Sequence, residues 1–114
     1  MFEKGDVARL EFALMMIGDI EAVIDRHGGI EKALDDFEGI HAILMCLMQA
    51  GESLNKIKDD EIRQQLPLAG IYGLRNVIAH DYEGINLKQI QETLRTHLPQ
   101  LKMKISRIIE TKGL

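Results

Sequence analysis

The sequence predicts an all-α fold, and two observations support this prediction. Apolar residues recur at intervals of three and four along most of the 114 residues, which is the period of a helix with one buried face. The composition is 46% hydrophobic and 28% charged, with two prolines, no tryptophan and few of the β-branched or aromatic runs typical of strands. We expect one domain over residues 1–114, folded as an up-and-down four-helix bundle with short additional helices.

The first long helix is expected to begin at Asp6, whose carboxylate can cap free backbone N–H groups, and to end at His27. Gly28 and Gly29 follow, and glycine readily adopts the left-handed conformation that ends helices. The apolar positions step by three and four residues: Val7, Leu10, Leu14, Ile17, Ile20 and Ile24. His27 is therefore interpreted as a terminal residue of the helix and not as a ligand.

Two polar segments separate the long helices. Residues 30–37 can form a short helix or turn that carries Asp35 and Asp36, which we interpret as solvated. Residues 58–67 are the most polar stretch and should form a connector with one helical turn, because Pro67 disfavours helix at Leu66. Neither segment offers the ligand spacing of a metal site.

A second long helix is expected from about Glu38 to Lys58, with Gly51 in its interior. An interior glycine costs about 1 kcal/mol relative to alanine, so close approach of another backbone is a plausible reason for it.

A turn at residues 83–86 should lead into the last helix, with Asn86 as its N-cap and Gln89 in the third position of a capping box. Pro99 should kink this helix because it lacks a backbone donor, and Gly113 should end it.

The net charge of −4 is unevenly distributed. Acidic residues dominate the first 60 residues, whereas the C-terminal helix is basic: Lys88, Arg95, Lys102, Lys104, Arg107 and Lys112. This helix could steer a phosphate backbone, or it could simply present a solvated face.

The lone Cys46 lies among apolar neighbours and is interpreted as a core residue in a reducing compartment. The chain lacks a basic-then-apolar leader and a run of about 20 apolar residues, so we expect a cytoplasmic protein without a membrane span.

Chemistry is concentrated in residues 73–82, which contain Arg75, Asn76, His80 and Tyr82. On a straight helix, the apolar side chains of this segment form one arc: Ile71, Leu74, Val77 and Ile78. Asn76 and His80 lie opposite this arc, and Arg75 and His80 diverge by about 140°. A single straight helix cannot easily direct both side chains at one atom. Either the helix ends near His80, or a second copy of the segment completes the site across a two-fold axis.

The spacing R-N-x-x-x-H-x-Y, formed by Arg75, Asn76, His80 and Tyr82, resembles the signature of HEPN ribonuclease toxins of the HepT type. The segments Gln-Ala-Gly-Glu-Ser at 49–53 and Leu-Pro-Gln-Leu at 98–101 also fit that pattern. The resemblance covers roughly residues 37–110 and implies a HEPN-like helical bundle.

The resemblance also implies a metal-independent endoribonuclease, in which the ribose 2′-hydroxyl attacks the adjacent phosphodiester. His80 would shuttle protons, since an imidazole suits this role near neutral pH. Arg75 would stabilise the phosphorane-like transition state with its planar fork, and Asn76 would hydrogen-bond the imidazole or the substrate. Glu52 would pack near this helix as a possible supporting residue, either as one half of a structural ion pair or as a residue that orients Arg75. No metal and no cofactor are expected.

The partners implied by the resemblance are an RNA substrate, a second copy of the chain in a homodimer, and a minimal nucleotidyltransferase antitoxin that inhibits the toxin by transferring AMP to Tyr82. Three alternatives stay open. The chain could be a non-catalytic helical subunit that binds the nucleotidyltransferase, it could be a scaffold without a role in RNA metabolism, or Tyr82 could merely close the end of its helix.

Overall fold

The computed structural model describes residues 4–111, and every regular element in that range is helical. The predicted all-α bundle is therefore confirmed, while its extent as one domain over residues 1–114 stays a prediction. The elements in chain order are α1 (Lys4–His27), α2 (Ile30–Asp35), α3 (Phe37–Asn55), α4 (Asp60–Gln65), α5 (Leu68–His80), α6 (Leu87–Glu92), a π-helical turn (Thr93–His97) and α7 (Leu98–Thr111).

The core lies between the long helices, with α3 at its centre. α3 packs against α1 along one side and against α5 along the other, while α7 packs against α1. The largest fully buried apolar side chains come from all parts of the described chain: Leu10, Ile17, Ile20, Ile43, Leu44, Leu54, Ile57, Ile62, Ile78, Ile90 and Ile105. Because α5 is held mainly through α3, any site on α5 is positioned by the α3 surface.

The prediction that Asp6 caps α1 is wrong. Asp6 lies inside α1 and is 1% exposed, and its two carboxylate oxygens accept hydrogen bonds of 3.0 Å from the backbone N–H groups of Lys58 and Asp59. The carboxylate therefore satisfies donors of the loop after α3. A buried carboxylate with two such bonds replaces the water that these backbone groups would otherwise bind.

α1 ends at His27 as predicted, but Asp36 is not merely solvated. Asp36 is the N-cap of α3 and accepts from the N–H of Gly39 at 2.9 Å, and it also lies 3.1 Å from His27 Nε2. His27 Nδ1 lies 2.7 Å from the carbonyl oxygen of Val23. This pair joins the end of α1 to the start of α3. Asp35 is exposed, as expected.

The second long helix, α3, ends at Asn55, three residues before the predicted end. The polar connector then forms α4, capped by the Asp59 carboxylate, which accepts from the N–H of Ile62 at 3.0 Å. Leu66 is extended, as the residue before Pro67 should be.

The last helical segment begins as predicted, since Asn86 Oδ1 accepts from the N–H groups of Lys88 and Gln89. A π-helical turn, Thr93–His97, lies just before Pro99, whereas the kink expected at Pro99 stays a prediction. Because Pro99 cannot donate to the carbonyl group of Arg95, the ordinary α-helical bonding is interrupted there. The predicted end at Gly113 lies outside the described residues.

Within residues 4–111, the helices are too short or too polar to meet the requirements of a membrane span. The cytoplasmic location stays a prediction.

Candidate functional site

The motif helix, α5, ends at His80, which is the first of the two possibilities that the sequence left open. The N–H of Asp81 still donates to the carbonyl of Val77 at 2.9 Å, but Asp81 itself has left the helical conformation. Tyr82 therefore lies in the turn that follows. Of the predicted apolar arc, Ile78 is buried, whereas Val77 lies at its edge and is exposed.

Arg75 is held by three groups around its guanidinium. Its Nη2 lies 3.0 Å from Glu52 Oε1, its Nη1 donates to Asn76 Oδ1 at 3.0 Å, and its Cζ lies 5.6 Å from the centroid of the Tyr72 ring. The side chain is 24% exposed, and its Nε is buried without a partner among the described residues. The guanidinium is thus fixed in orientation and retains donors for a further acceptor.

Gly51 explains how α3 and α5 approach closely enough for this arrangement. A Cβ placed on Gly51 would lie 3.2 Å from Arg75 Cβ and 3.5 Å from both the Cγ2 and the carbonyl oxygen of Ile71. The interior glycine therefore marks the close approach that the sequence predicted. Glu52, the next residue, is placed to pair with Arg75.

His80 is exposed and forms no hydrogen bond or ion pair with any residue in the range 4–111. Asn76 is half-buried and directed towards Arg75 through its side-chain oxygen. Within one chain, the described contacts therefore assemble Arg75, Asn76 and Glu52, while His80 stands apart from them.

Sequence reasoning missed His41, which contacts Tyr82. The His41 Nδ1 and the Tyr82 hydroxyl form a hydrogen bond, and the two rings stack with centroids 5.5 Å apart and an angle of 16° between their planes. A signal for this contact exists in the sequence. His41 and Glu52 are 11 residues apart, about three helical turns, so their side chains share one face of α3. In the structure, this face contacts Arg75 through Glu52 and Tyr82 through His41.

The predicted basic C-terminal helix has two of its cations engaged by acids elsewhere in the bundle. Arg95 pairs with Glu31 of α2 at 3.1 Å, and Lys102 pairs with Glu21 of α1 at 3.0 Å. These two paired cations therefore face the acids of α1 and α2. Lys112 lies outside the described residues.

An apolar cavity of about 450 Å³ lies between α3, α5 and the segment from Gln89 to Leu101.

Among residues 4–111, no group of three or more histidine, cysteine, aspartate or glutamate side chains has the arrangement of a metal site. Cys46 is half-buried, and this burial raises the pKa of its thiol.

Comparison with known proteins gives the chain its family. Residues 13–108 match the family model described as ribonuclease HepT-like. The match includes most of α1, which the sequence identified only as an amphipathic helix. No solved structure gives a significant match.

Three relatives are provisionally named as RNases. Two proteins of Methanocaldococcus jannaschii are each 30% identical over 73 residues, which is 61% of this chain and 62% or 60% of theirs. A protein of Caldanaerobacter subterraneus subsp. tengcongensis is 26% identical over 99 residues, 83% of this chain and 88% of that protein. The chain spans about three fifths of the length of the two archaeal relatives. With the family model covering most of the helical bundle and all of α5, the chain belongs to the ribonuclease HepT-like family.

Proposed function

We propose that the chain is an endoribonuclease that cleaves RNA without a metal ion, through Arg75 and His80. The observation that supports this most directly is the pairing of a fixed guanidinium with a free imidazole on one short helix. Arg75 is anchored by Glu52 and Asn76, whereas His80 is exposed at the end of α5. The family and the provisional names of the three relatives point to the same substrate.

In the proposed reaction, the ribose 2′-oxygen attacks the adjacent phosphorus and the 5′-oxygen leaves, which gives a cyclic phosphate. His80 moves the protons of these oxygens, as an exposed imidazole with no competing partner is suited to do. Arg75 binds the non-bridging phosphate oxygens, on which negative charge grows in the transition state. Asn76 and Glu52 hold the guanidinium in the required orientation.

We further propose that the working site is formed by a homodimer. Arg75 and His80 diverge along α5, so a second copy is the simplest source of the missing partner. Gly73 lies on the exposed side of α5, and a Cβ placed on it would meet no atom of the described chain within 4 Å apart from its own helix. The neighbouring edge of α3 exposes Phe37 by 72% and Met45 by 52%, so a second copy that packs there would bury apolar surface.

As regulation, we propose that the chain is a toxin whose partner, a minimal nucleotidyltransferase antitoxin, transfers AMP to Tyr82. The phenol is 42% exposed and lies just beyond the helix end, within reach of another protein's active site. A bulky anionic group there would repel the RNA backbone and obstruct access to His80. We propose that this AMP transfer takes place in the cytoplasm.

One observation favours a second function. Glu52 already neutralises Arg75, as in a purely structural ion pair. The alternative is therefore a non-catalytic subunit that binds the nucleotidyltransferase through this surface.

RNA cleavage by the purified chain in the presence of EDTA separates these functions. We expect wild-type protein to cleave, and His80→Ala and Arg75→Ala each to lose activity by about 100-fold to 10,000-fold. His97→Ala and Arg107→Ala are matched controls, because both residues are exposed and lie on another segment of the bundle. A wild-type protein that binds the nucleotidyltransferase but cleaves no RNA would establish the subunit function instead.

A further inference from the structure

The contact between His41 and Tyr82 has no role in the reaction proposed above. His41 belongs to α3 and Tyr82 to the turn after α5, so the pair joins residues that are 41 positions apart. Both side chains are exposed. A surface histidine and tyrosine gain little stability from a single hydrogen bond, because water offers each the same bond.

We propose that His41 accepts the proton of the Tyr82 hydroxyl and thereby makes this phenol a nucleophile towards a nucleoside triphosphate. Tyr82 donates its O–H to Nδ1 of a neutral His41, whose own N–H is then on Nε2. The proposal rests on the regulatory part of the proposed function, and it adds a residue from the modified chain itself to the transfer reaction.

The chemistry is balanced as follows. The phenol oxygen forms a bond to the α-phosphorus of ATP, and the bond from that phosphorus to the bridging oxygen of the β-phosphate breaks. Pyrophosphate leaves with the electron pair of that bond. The phenol proton passes to His41 Nδ1 and is then lost to water, since the imidazole is exposed. A phenol with an ordinary affinity for its proton is a weak nucleophile near neutral pH, so a proton acceptor in contact with it accelerates the attack.

The second tyrosine provides a contrast within the same chain. Tyr72 packs its ring beneath the Arg75 guanidinium, and its hydroxyl has no hydrogen-bond partner among the described residues. Beside Tyr82, the neighbouring carboxylates of Asp81 and Glu83 form no bond to the phenol within the described residues. His41 is therefore the group placed to take the proton of Tyr82.

Two substitutions separate proton transfer from simpler roles. His41→Phe keeps the ring that stacks on Tyr82 and removes the hydrogen bond. His41→Asn keeps a hydrogen-bonding atom near the position of Nδ1 but removes the basic nitrogen. His97→Phe is the matched control, since His97 is an exposed histidine on the π-helical turn.

The first measurement is AMP transfer to the full chain by a minimal nucleotidyltransferase of the proposed partner class, with ATP, followed by mass mapping of Tyr82. We expect His41→Phe and His41→Asn both to slow the transfer, on the order of 100-fold, and His97→Phe to leave it unchanged. A rate in His41→Asn equal to wild type would show that hydrogen bonding alone is sufficient, and an unchanged rate in His41→Phe would show that stacking is sufficient. Either result overturns the proposal.

The second measurement uses N-acetylimidazole, which acetylates phenols without any partner protein. We expect Tyr82 to be acetylated faster in the wild-type chain than in either His41 variant, with Tyr72 of the same chain as the internal reference. If wild-type Tyr82 receives no AMP, the regulatory part of the proposed function fails, and acetylation alone then decides whether His41 activates the phenol. Equal acetylation of Tyr82 in wild type and both variants would refute the role of His41.

Discussion

The Arg75 guanidinium is partly neutralised before any RNA binds, because Glu52 lies 3.0 Å away. A partly exposed ion pair of this kind contributes about 1 kcal/mol or less. Each charge-assisted hydrogen bond to a phosphate oxygen contributes about 1.5–3 kcal/mol, which is more than the ion pair contributes. A phosphate can therefore bind the donors of Arg75 that Glu52 and Asn76 leave free, while Glu52 stays in place. Glu52 then acts as a positioning residue.

This role predicts a separation of kcat from KM. In Glu52→Gln, the orienting charge is lost but the phosphate is no longer repelled by a nearby carboxylate. We expect kcat for RNA cleavage to fall by about 10-fold to 100-fold while KM stays constant or decreases. Glu31→Gln is the matched control, since it removes the similar pair with Arg95 at 3.1 Å. An unchanged kcat in Glu52→Gln would restrict Glu52 to a structural role.

The pair of His27 and Asp36 predicts how stability depends on pH. The hydrogen bond to the carbonyl of Val23 and the nearby Asp36 carboxylate raise the pKa of His27, whereas the N–H of Gly39 and the His27 ring lower the pKa of Asp36. The contribution of His27 is complete below its ordinary pKa and is lost as the pH rises through the raised one. The contribution of Asp36 is complete above its ordinary pKa and is lost as the pH falls through the lowered one.

Both contributions are therefore complete between roughly pH 4 and pH 6.5. Thermal unfolding of wild type and His27→Gln from pH 3 to pH 8 tests this, with the largest difference in Tm expected near pH 5 and a smaller one at pH 8. His97→Gln should show no such trend. A difference in Tm that is constant with pH would mean that the ionised pair contributes nothing to stability.

At the scale of helices, the sequence predicted most elements because their signals are local. The apolar period identified α1 and α3, the glycines after His27 marked the end of α1, and Asn86 marked the start of α6. Asp6 was misjudged because an aspartate near a helix start usually caps it, whereas here its partners are 52 and 53 residues away. No local pattern encodes that contact.

The candidate site divides in the same way. Arg75, Asn76 and His80 are on one helix, and their spacing placed Asn76 on the side of His80. In the structure, the Asn76 side chain instead accepts a hydrogen bond from Arg75 at 3.0 Å. Glu52 was linked to Arg75 only through the resemblance to a family, and His41 was not identified at all. Its contact with Tyr82 depends on the alignment of α3 with α5, which the packing around Gly51 determines.

Gly39 in the first turn of α3 gives a prediction about packing between elements. A Cβ placed on Gly39 would lie 2.2 Å from the carbonyl oxygen of Ala33, a backbone atom that cannot move independently. We expect Gly39→Ala to lower the free energy of unfolding by about 1–3 kcal/mol, measured by urea denaturation. The matched change Gly18→Ala, at an open position of α1, should raise it by about 0.5–1 kcal/mol. Equal effects of the two changes would show that Gly39 is not required for this packing.

At the scale of the whole molecule, one chain presents an anchored cation, Arg75, and an exposed imidazole, His80. Five residues along a straight helix separate their directions by about 140°. Two of the chain's exposed apolar side chains, Phe37 and Met45, lie on the same side of α3 as Glu52 and His41, which contact the motif segment. A two-fold axis beside α5 would bury this surface and bring a second motif segment to the first. Arg75 of one copy and His80 of the other would then act on one phosphate.

This arrangement predicts that two inactive variants restore each other. Arg75→Ala and His80→Ala chains, unfolded together and refolded as a mixture, should form heterodimers in half of the molecules, and each heterodimer retains one intact combination of Arg75 and His80. The mixture should therefore recover up to about a quarter of wild-type RNA cleavage, although neither variant is active alone.

Sedimentation should give a dimer for wild type and for both variants, which excludes loss of assembly as the cause of inactivity. A double variant carrying both changes, mixed with wild type, is the control, because its heterodimers contain no intact combination across the axis. If the two single variants regain no activity when mixed but remain dimeric, then Arg75 and His80 of the same chain must act together, and the composite site is wrong.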